Sequence, residues 1–288
     1  MNQPSMNSTP PSPLAAAQAG LPAYNGKGKV MAVTSGKGGV GKTFFSANLA
    51  AALTRRGHKV LVLDADLGLA NLDVVLNLYP KITLHDVFTG KATLEDAILK
   101  APGGFSVLLA GSGMVEYSRL TPEVRDDFMK VMQTIVPRYD VVLLDTGAGI
   151  SDVVLFAVSL ATEVLMVATP EPTSLTDAYA TIKVLAMQQG RQQVRLVVNQ
   201  ATRPGDGRNI TAQLQQVLNR FLSNGPNAQP GQAIKLLHMG DVPSDQSVKD
   251  AIMRRQLLLV HAPGCPAALA LGQIAGRIEE AVLGHHLA

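Results

Sequence analysis

Apolar positions fall into short continuous runs, and helical patterns separate them. Strands are predicted over 29–34, 59–64, 105–110, 139–145, 164–169, 194–199 and 234–239. Each is a block of Val, Leu and Met rather than an alternation, as strands buried on both faces should be. Between them Thr121 reads as an N-cap with Pro122 at the first helical position. Val124, Phe128, Val131, Met132 and Ile135 then share one face. A second stripe joins Ile210, Leu214, Val217, Leu218 and Phe221, and a third joins Leu271, Ile274, Ala275, Ile278 and Val282. Strand–helix alternation predicts one α/β domain over 28–288, a mostly parallel sheet of seven or eight strands with helices on both faces. Residues 1–27 are rich in Pro, Ser, Asn, Ala and Gly and read as a flexible tail. Residues 223–231 read as a long polar surface loop.

Composition narrows the classes. With 47% hydrophobic and 16% charged residues among 288, the chain has material for a core and is not wholly disordered. A formal charge of +3 is too small to argue nucleic-acid binding, and no specific DNA binding is expected. The single cysteine, Cys265, excludes a disulfide within the chain and any paired-cysteine zinc or iron–sulfur site. The nearest approach to a membrane span, 153–168, is broken by Glu163. The first basic residue is Lys27, and Pro10, Pro11 and Pro13 interrupt the start, so no secretion signal is read and a cytoplasmic location is expected.

The strongest local signal follows the first strand. Ser35-Gly-Lys-Gly-Gly-Val-Gly-Lys-Thr43 satisfies G-x-x-x-x-G-K-[ST] from Gly36 to Thr43. Its glycines let backbone N–H groups close around phosphate oxygens. Lys42 reaches the outer phosphates, the Thr43 hydroxyl can ligate Mg²⁺, and the helix that follows, carrying Phe45, Leu49, Ala52 and Leu53, points its positive end at the anion. The second strand ends in Asp64-Ala-Asp66 and the fourth in Asp145-Thr-Gly-Ala-Gly149. Carboxylates at such strand ends face the ligand crevice of a parallel sheet, where they hold Mg²⁺ or orient water. An acidic turn after a strand is the plainer reading of the Asp64–Asp66 pair.

Lys37 is the unusual feature. A second lysine beside Lys42 costs charge repulsion in an empty site, and it makes sense where it meets a developing negative charge in its own site or a partner's. The run Lys37-Gly-Gly-Val-Gly-Lys-Thr43 resembles the deviant Walker A motif of the MinD/ParA group of ATPases, and Asp64-x-Asp-x-Gly-Leu-x-Asn-Leu-Asp73 resembles that group's first switch. The run from Glu171 to Lys183 and the run Pro243-Ser-Asp-Gln-Ser-Val248 are similar to the group's flagellar-number branch, FlhG/FleN. The resemblance covers about residues 28–280.

The resemblance implies ATP and Mg²⁺ as ligands, with Gly36, Lys37, Gly38, Gly39, Val40, Gly41, Lys42, Thr43 and Phe44 around the phosphates. Thr43, Asp64 and Asp145 would serve the metal. Lys37, Lys42 and Asp66 would act in hydrolysis, Lys37 across a homodimer interface and Asp66 on the attacking water. Glu171 would lie near the partner's ribose, with Asn199 and Pro243 at the adenine. It further implies a slow ATPase used as a dimerisation switch. Such a protein restricts flagellar number and placement by antagonising a master transcription activator of the bacterial enhancer-binding type, and acts with an FlhF-type GTPase. A MinD-type division-site regulator and a ParA-type DNA-partitioning ATPase are the alternatives.

There are departures. The tail lacks the Asp-Gln-Ala helix that stimulates the GTPase in some members, and the last helix has little positive charge, so it reads as a helix docked on the fold rather than a membrane anchor. The cell membrane's inner face or the cell pole stays the alternative location. Arg254-Arg255 reads as a solvated face or a protein contact rather than a DNA contact. Cys265 reads as structural, and the six histidines show no metal spacing.

Overall fold

The computed structural model describes residue 24 and residues 27–67, 71–111, 120–223 and 233–284. The tail, Gly68 to Ala70 of the first acidic motif, most of the polar loop and the last four residues lie outside them.

In chain order the elements are β1 (Lys29–Ser35), α1 (Lys42–Arg55), β2 (Val60–Ala65), α2 (Leu72–Leu76), α3 (Leu84–Phe88), α4 (Leu94–Ala97), β3 (Ile98–Lys100) and β4 (Ser106–Leu108). There follow α5 (Pro122–Ile135), β5 (Val141–Ala148), α6 (Asp152–Ser159), β6 (Glu163–Ala168), α7 (Pro172–Gln189) and β7 (Gln193–Ala201). The chain closes with α8 (Asp206–Leu218), β8 (Lys235–Pro243), α9 (Gln246–Met253), α10 (Leu258–His261) and α11 (Pro266–Ile278). One eight-stranded sheet runs β3-β4-β2-β5-β1-β6-β7-β8. Every pairing is parallel except β3 with β4.

Adjacent residues of each strand feed opposite layers. Val30 and Ala32 pack under α5 to α8, while Met31 and Val33 pack under α1 and α11. This two-sided burial is why the strands read as unbroken apolar blocks. The Thr121 hydroxyl accepts from Val124 N at 3.4 Å with Pro122 inside the first turn, and the five residues predicted to share one face are buried as expected. The Tyr24 hydroxyl donates to Leu160 O at 3.0 Å, which pins the chain before β1.

The structure adds detail that the sequence did not show and corrects one helical stripe. The antiparallel β3 was not foreseen, because three residues give no period. Val217 and Phe221 are exposed rather than part of the buried stripe, since the helix turns them away from the sheet once Leu214 and Leu218 are seated. Gly147 and Ala148 are the last two residues of β5. Ser174 lies in the first turn of α7. Its hydroxyl reaches back to accept from Thr169 N at 3.0 Å, and Glu171 holds the N-cap position with no side-chain bond to the helix.

The last helix is docked. Leu271, Ile274 and Ile278 are buried, and Glu279 beyond it receives Arg56 and His58 at 2.5 and 2.7 Å. Cys265 caps its start, its sulfur accepting from Ala268 N at 3.4 Å. The free edge of β8 is occupied by side chains. Gln215 donates to Ile234 O at 2.8 Å and accepts from Leu236 N at 2.7 Å, and Arg277 donates to Met239 O at 2.9 Å. At the other edge β3 is only three residues long. Both are recognised ways of blunting a sheet edge.

Candidate functional site

The carboxyl ends of β1, β2 and β5 converge on one rim, and the glycine loop spans it. Gly39 and Gly41 take φ of 79° and 88°, which carry the backbone into α1 in a conformation costly for other residues. Gly36 is required for another reason. A Cβ there would lie 2.2 Å from the Asp177 carbonyl carbon and 2.4 Å from Ala178 N, so the loop rests directly on the backbone of α7.

Inside the loop is a cleft of about 570 Å³. It is lined by the Gly38–Phe44 segment and Ser35 on one side and by Asp66, Asn71, Gly147, Ala148 and Ser151 on the other. The Ser35 hydroxyl donates to Lys37 O at 3.0 Å, and Gly149 N donates to Ser35 O at 2.8 Å, which ties the end of β5 to the start of the loop.

Beneath the cleft three ionisable side chains, Lys42, Asp64 and Asp145, are buried together. Lys42 Nζ lies 3.3 Å from Asp145 Oδ1, and the Ser46 hydroxyl donates to the same oxygen at 2.8 Å. Asp64 stands beside Asp145 on the neighbouring strand, in register. Burial pushes the Asp64 carboxyl well above the usual carboxylate range, and the charge of Asp145 adds to the shift. Asp66 N donates to Asp64 Oδ1 at 3.2 Å, whereas Asp64 Oδ2 is buried with no hydrogen-bond partner.

This donor set fits a magnesium ion. Two carboxylates and the Thr43 hydroxyl offer hard oxygen ligands, and the orphaned Asp64 oxygen gains a partner when a cation and its waters arrive. Among the described residues no group of three or more His, Cys, Asp or Glu is placed to hold a metal ion.

Lys37 stands at the rim. Its ammonium donates to Glu171 Oε2 at 3.0 Å and to Thr173 Oγ1 at 2.9 Å, the first two polar side chains at the start of α7. Glu171, Asn199 and Pro243 do not line the phosphate cleft. Asn199 lies behind the loop and donates to Val40 O at 2.8 Å. Pro243 ends β8 opposite Ala201. Sequence reasoning missed Ser46, Asn71, Ser151 and Thr173. Ser46 follows Lys42 by one helical turn, a spacing that places both on the sheet-facing side. Ser151 is an N-cap before an apolar run, a signal already in the sequence.

Comparison with known proteins agrees with this geometry. A family model described as an AAA domain matches residues 28–197. The antiactivator FleN of Pseudomonas aeruginosa is 42% identical over 251 residues, covering 87% of this chain and 86% of that protein. The flagellum site-determining protein YlxH of Helicobacter pylori is 31% identical over 252 residues, covering 87% and 82%. Among solved structures, the septum site-determining protein MinD of Pyrococcus horikoshii, complexed with Mg-ADP, superposes with a TM-score of 0.68 at 26% identity over 90% of this chain and 99% of that one.

Proposed function

The chain belongs to the MinD/ParA-type P-loop ATPases, in the branch that contains FleN and FlhG, and from that premise we propose that it is an ATP-switched antiactivator that limits flagellar number. Slow hydrolysis of ATP to ADP and phosphate would turn off a homodimer that restrains a flagellar transcription activator of the enhancer-binding type. An FlhF-type GTPase is its expected companion, and the cytoplasm its place of action. Among the described residues no helix is long and apolar enough to cross a membrane.

The observation that carries the reading is the division of labour between two lysines. Lys42 is buried on Asp145, inside the cleft, whereas Lys37 is held at the open rim by exposed partners. An incoming nucleotide places its phosphates against the backbone N–H groups of Gly38 to Thr43, and Lys42 exchanges Asp145 for phosphate oxygens. Thr43 and Asp145, with Asp64 behind them, would hold Mg²⁺, which supplies positive charge to the phosphate oxygens. Asp66, on the far wall, orients the attacking water and accepts its proton as the bond from the γ-phosphorus to the β-bridging oxygen breaks. Lys37 serves a second protomer across the rim.

Light scattering with no nucleotide, with ADP, and with ATP plus Mg²⁺ tests this reading. A doubling of mass only with ATP is expected. A mass unchanged in all three states overturns the dimer switch.

A further inference from the structure

On the flank of the nucleotide cleft, α2 and α9 present a surface to which no role has yet been given. Tyr79 sits between them. Its hydroxyl donates to Asn77 Oδ1 at 3.3 Å, and Arg255 Nη1 donates to the Tyr79 hydroxyl at 3.4 Å. Tyr79 is 77% exposed and Met253 84%, and Ile252 and Val74 add further exposed apolar surface. Arg254 and Arg255 are exposed beside them.

The backbone at Arg255 is strained. Arg255 N bonds to Ile252 O at 3.0 Å and Gln256 N to Ala251 O at 2.9 Å, a helix-ending loop whose left-handed residue is usually glycine. Arg255 adopts φ of 52° there. A side chain kept where glycine is the unstrained choice, and presented next to Tyr79 and Met253, points to use in binding. Tyr, Arg and Met are the residue types enriched in protein interfaces, and arginine's planar fork matches carboxylates.

One of the two elements adjoins the nucleotide cleft, and the other is braced on the last helix. α2 begins directly after Asn71, which lines the cleft. α9 follows Pro243 and begins at Asp245, whose carboxylate accepts from Ser247 N at 2.9 Å and from Ala267 N at 3.2 Å, so one side chain caps α9 and braces α11.

From this juxtaposition we infer that the Tyr79–Met253–Arg255 surface is a docking site for an acidic segment of a partner protein, one that inserts an apolar side chain over Met253 while carboxylates engage the two arginines. The nucleotide dependence of that docking rests on the switch proposed above. The chain's own N-terminal stretch is a poor occupant on charge, since residues 1–26 contain no acidic residue.

The test is fluorescence anisotropy on the full-length chain. The probe is a labelled synthetic peptide rich in Glu and Asp with Leu and Phe anchors, and its control carries Gln and Asn in place of every acid. The acidic peptide is expected to bind at least about tenfold tighter than the control, and Met253→Glu and Arg255→Gly are each expected to lose about tenfold or more. Arg255→Gly is also expected to melt at a higher temperature than the parent, which separates lost binding from lost folding. ATP with Mg²⁺ is expected to change the peptide's affinity. Equal binding of both peptides, undiminished binding by Met253→Glu, or capture by anionic vesicles without peptide binding overturns the docking site. Peptide binding that ignores nucleotide while ATP still doubles the mass overturns the coupling. A mass that never doubles, with peptide binding intact, counts against the switch and leaves the surface standing.

Discussion

Lys37 and Glu171, 134 residues apart in sequence, meet at the mouth of the cleft with Nζ 3.0 Å from Oε2. Their side chains are 39% and 61% exposed, so the contact is weak and the lysine can leave it for a stronger anion. The isolated chain thus stores its rim lysine on its own carboxylate.

Replacing that lysine separates binding from assembly. Lys37→Ala should keep nucleotide affinity within about threefold, because the loop backbone and Lys42 are untouched. It should not double in mass with ATP and Mg²⁺. Calorimetric titration with ATP and light scattering on the same sample read the two properties, and a fully dimeric Lys37→Ala would remove the cross-interface role.

Asp66 lines the cleft, whereas the phosphate-loop backbone and Lys42 are left in place when it is replaced. Asp66→Ala should therefore bind ATP and dimerise, yet turn over about a hundredfold or more slower, as loss of a positioned base does. Phosphate release under single-turnover conditions measures this. Dimer lifetimes equal to those of the unmodified chain would exclude Asp66 from hydrolysis.

Lys42→Ala acts on binding and on stability together. It leaves the Asp145 carboxylate buried without its lysine, with the Ser46 hydroxyl donating to it at 2.8 Å, at a cost of about 3 kcal/mol. The double variant Lys42→Ala/Asp145→Asn should recover most of that stability in urea unfolding while nucleotide binding stays lost.

Gly36→Ala should fail differently. The added methyl meets the α7 backbone rather than a movable side chain. Either the loop or the helix must shift, so ATP affinity should drop by about tenfold or more while the core, away from this contact, unfolds with an unchanged urea dependence. Unaltered ATP affinity would show that the loop can move off α7 freely.

Asp64 gives a pH dependence in magnesium-free buffer. Its native carboxyl holds a proton above the range in which the unfolded chain, near pH 4, has released it. The native state therefore binds more protons, and the stability from the neutral carboxyl is full below the unfolded value and lost as pH rises through the native one. Asp64→Asn should lack this decline, so its stability advantage over the parent grows as pH rises above about 4. Denaturant midpoints across that range test it, and parallel curves for the two proteins would refute it.

The sheet and the phosphate loop were legible in the sequence because both depend on local order. Continuous Val and Leu blocks mark strands covered on two faces, and Gly36 to Thr43 specify a backbone shape. Asp64 and Asp145 were found because each ends such a block. What escaped depends on contacts made only after folding. Ser46 acquires its role from a carboxylate 99 residues away. Thr173 and Glu171 meet Lys37 only once α7 has packed behind the loop. β3 is three residues long and is defined by its pairing with β4, not by a pattern of its own. Val217 and Phe221 fit the helical period, yet the period fixes only a direction and not how far the burying layer extends.

The side chains along β8 settle how this molecule can accumulate. Gln215 and Arg277 occupy backbone groups that would otherwise recruit another strand, and the opposite margin is a three-residue antiparallel strand. Growth by adding strands is blocked along β8 and offered only a short margin at β3. If the chain joins its like through the proposed rim, each protomer would have a valence of one for that contact, and assembly there would end at a pair rather than run on into a fibre.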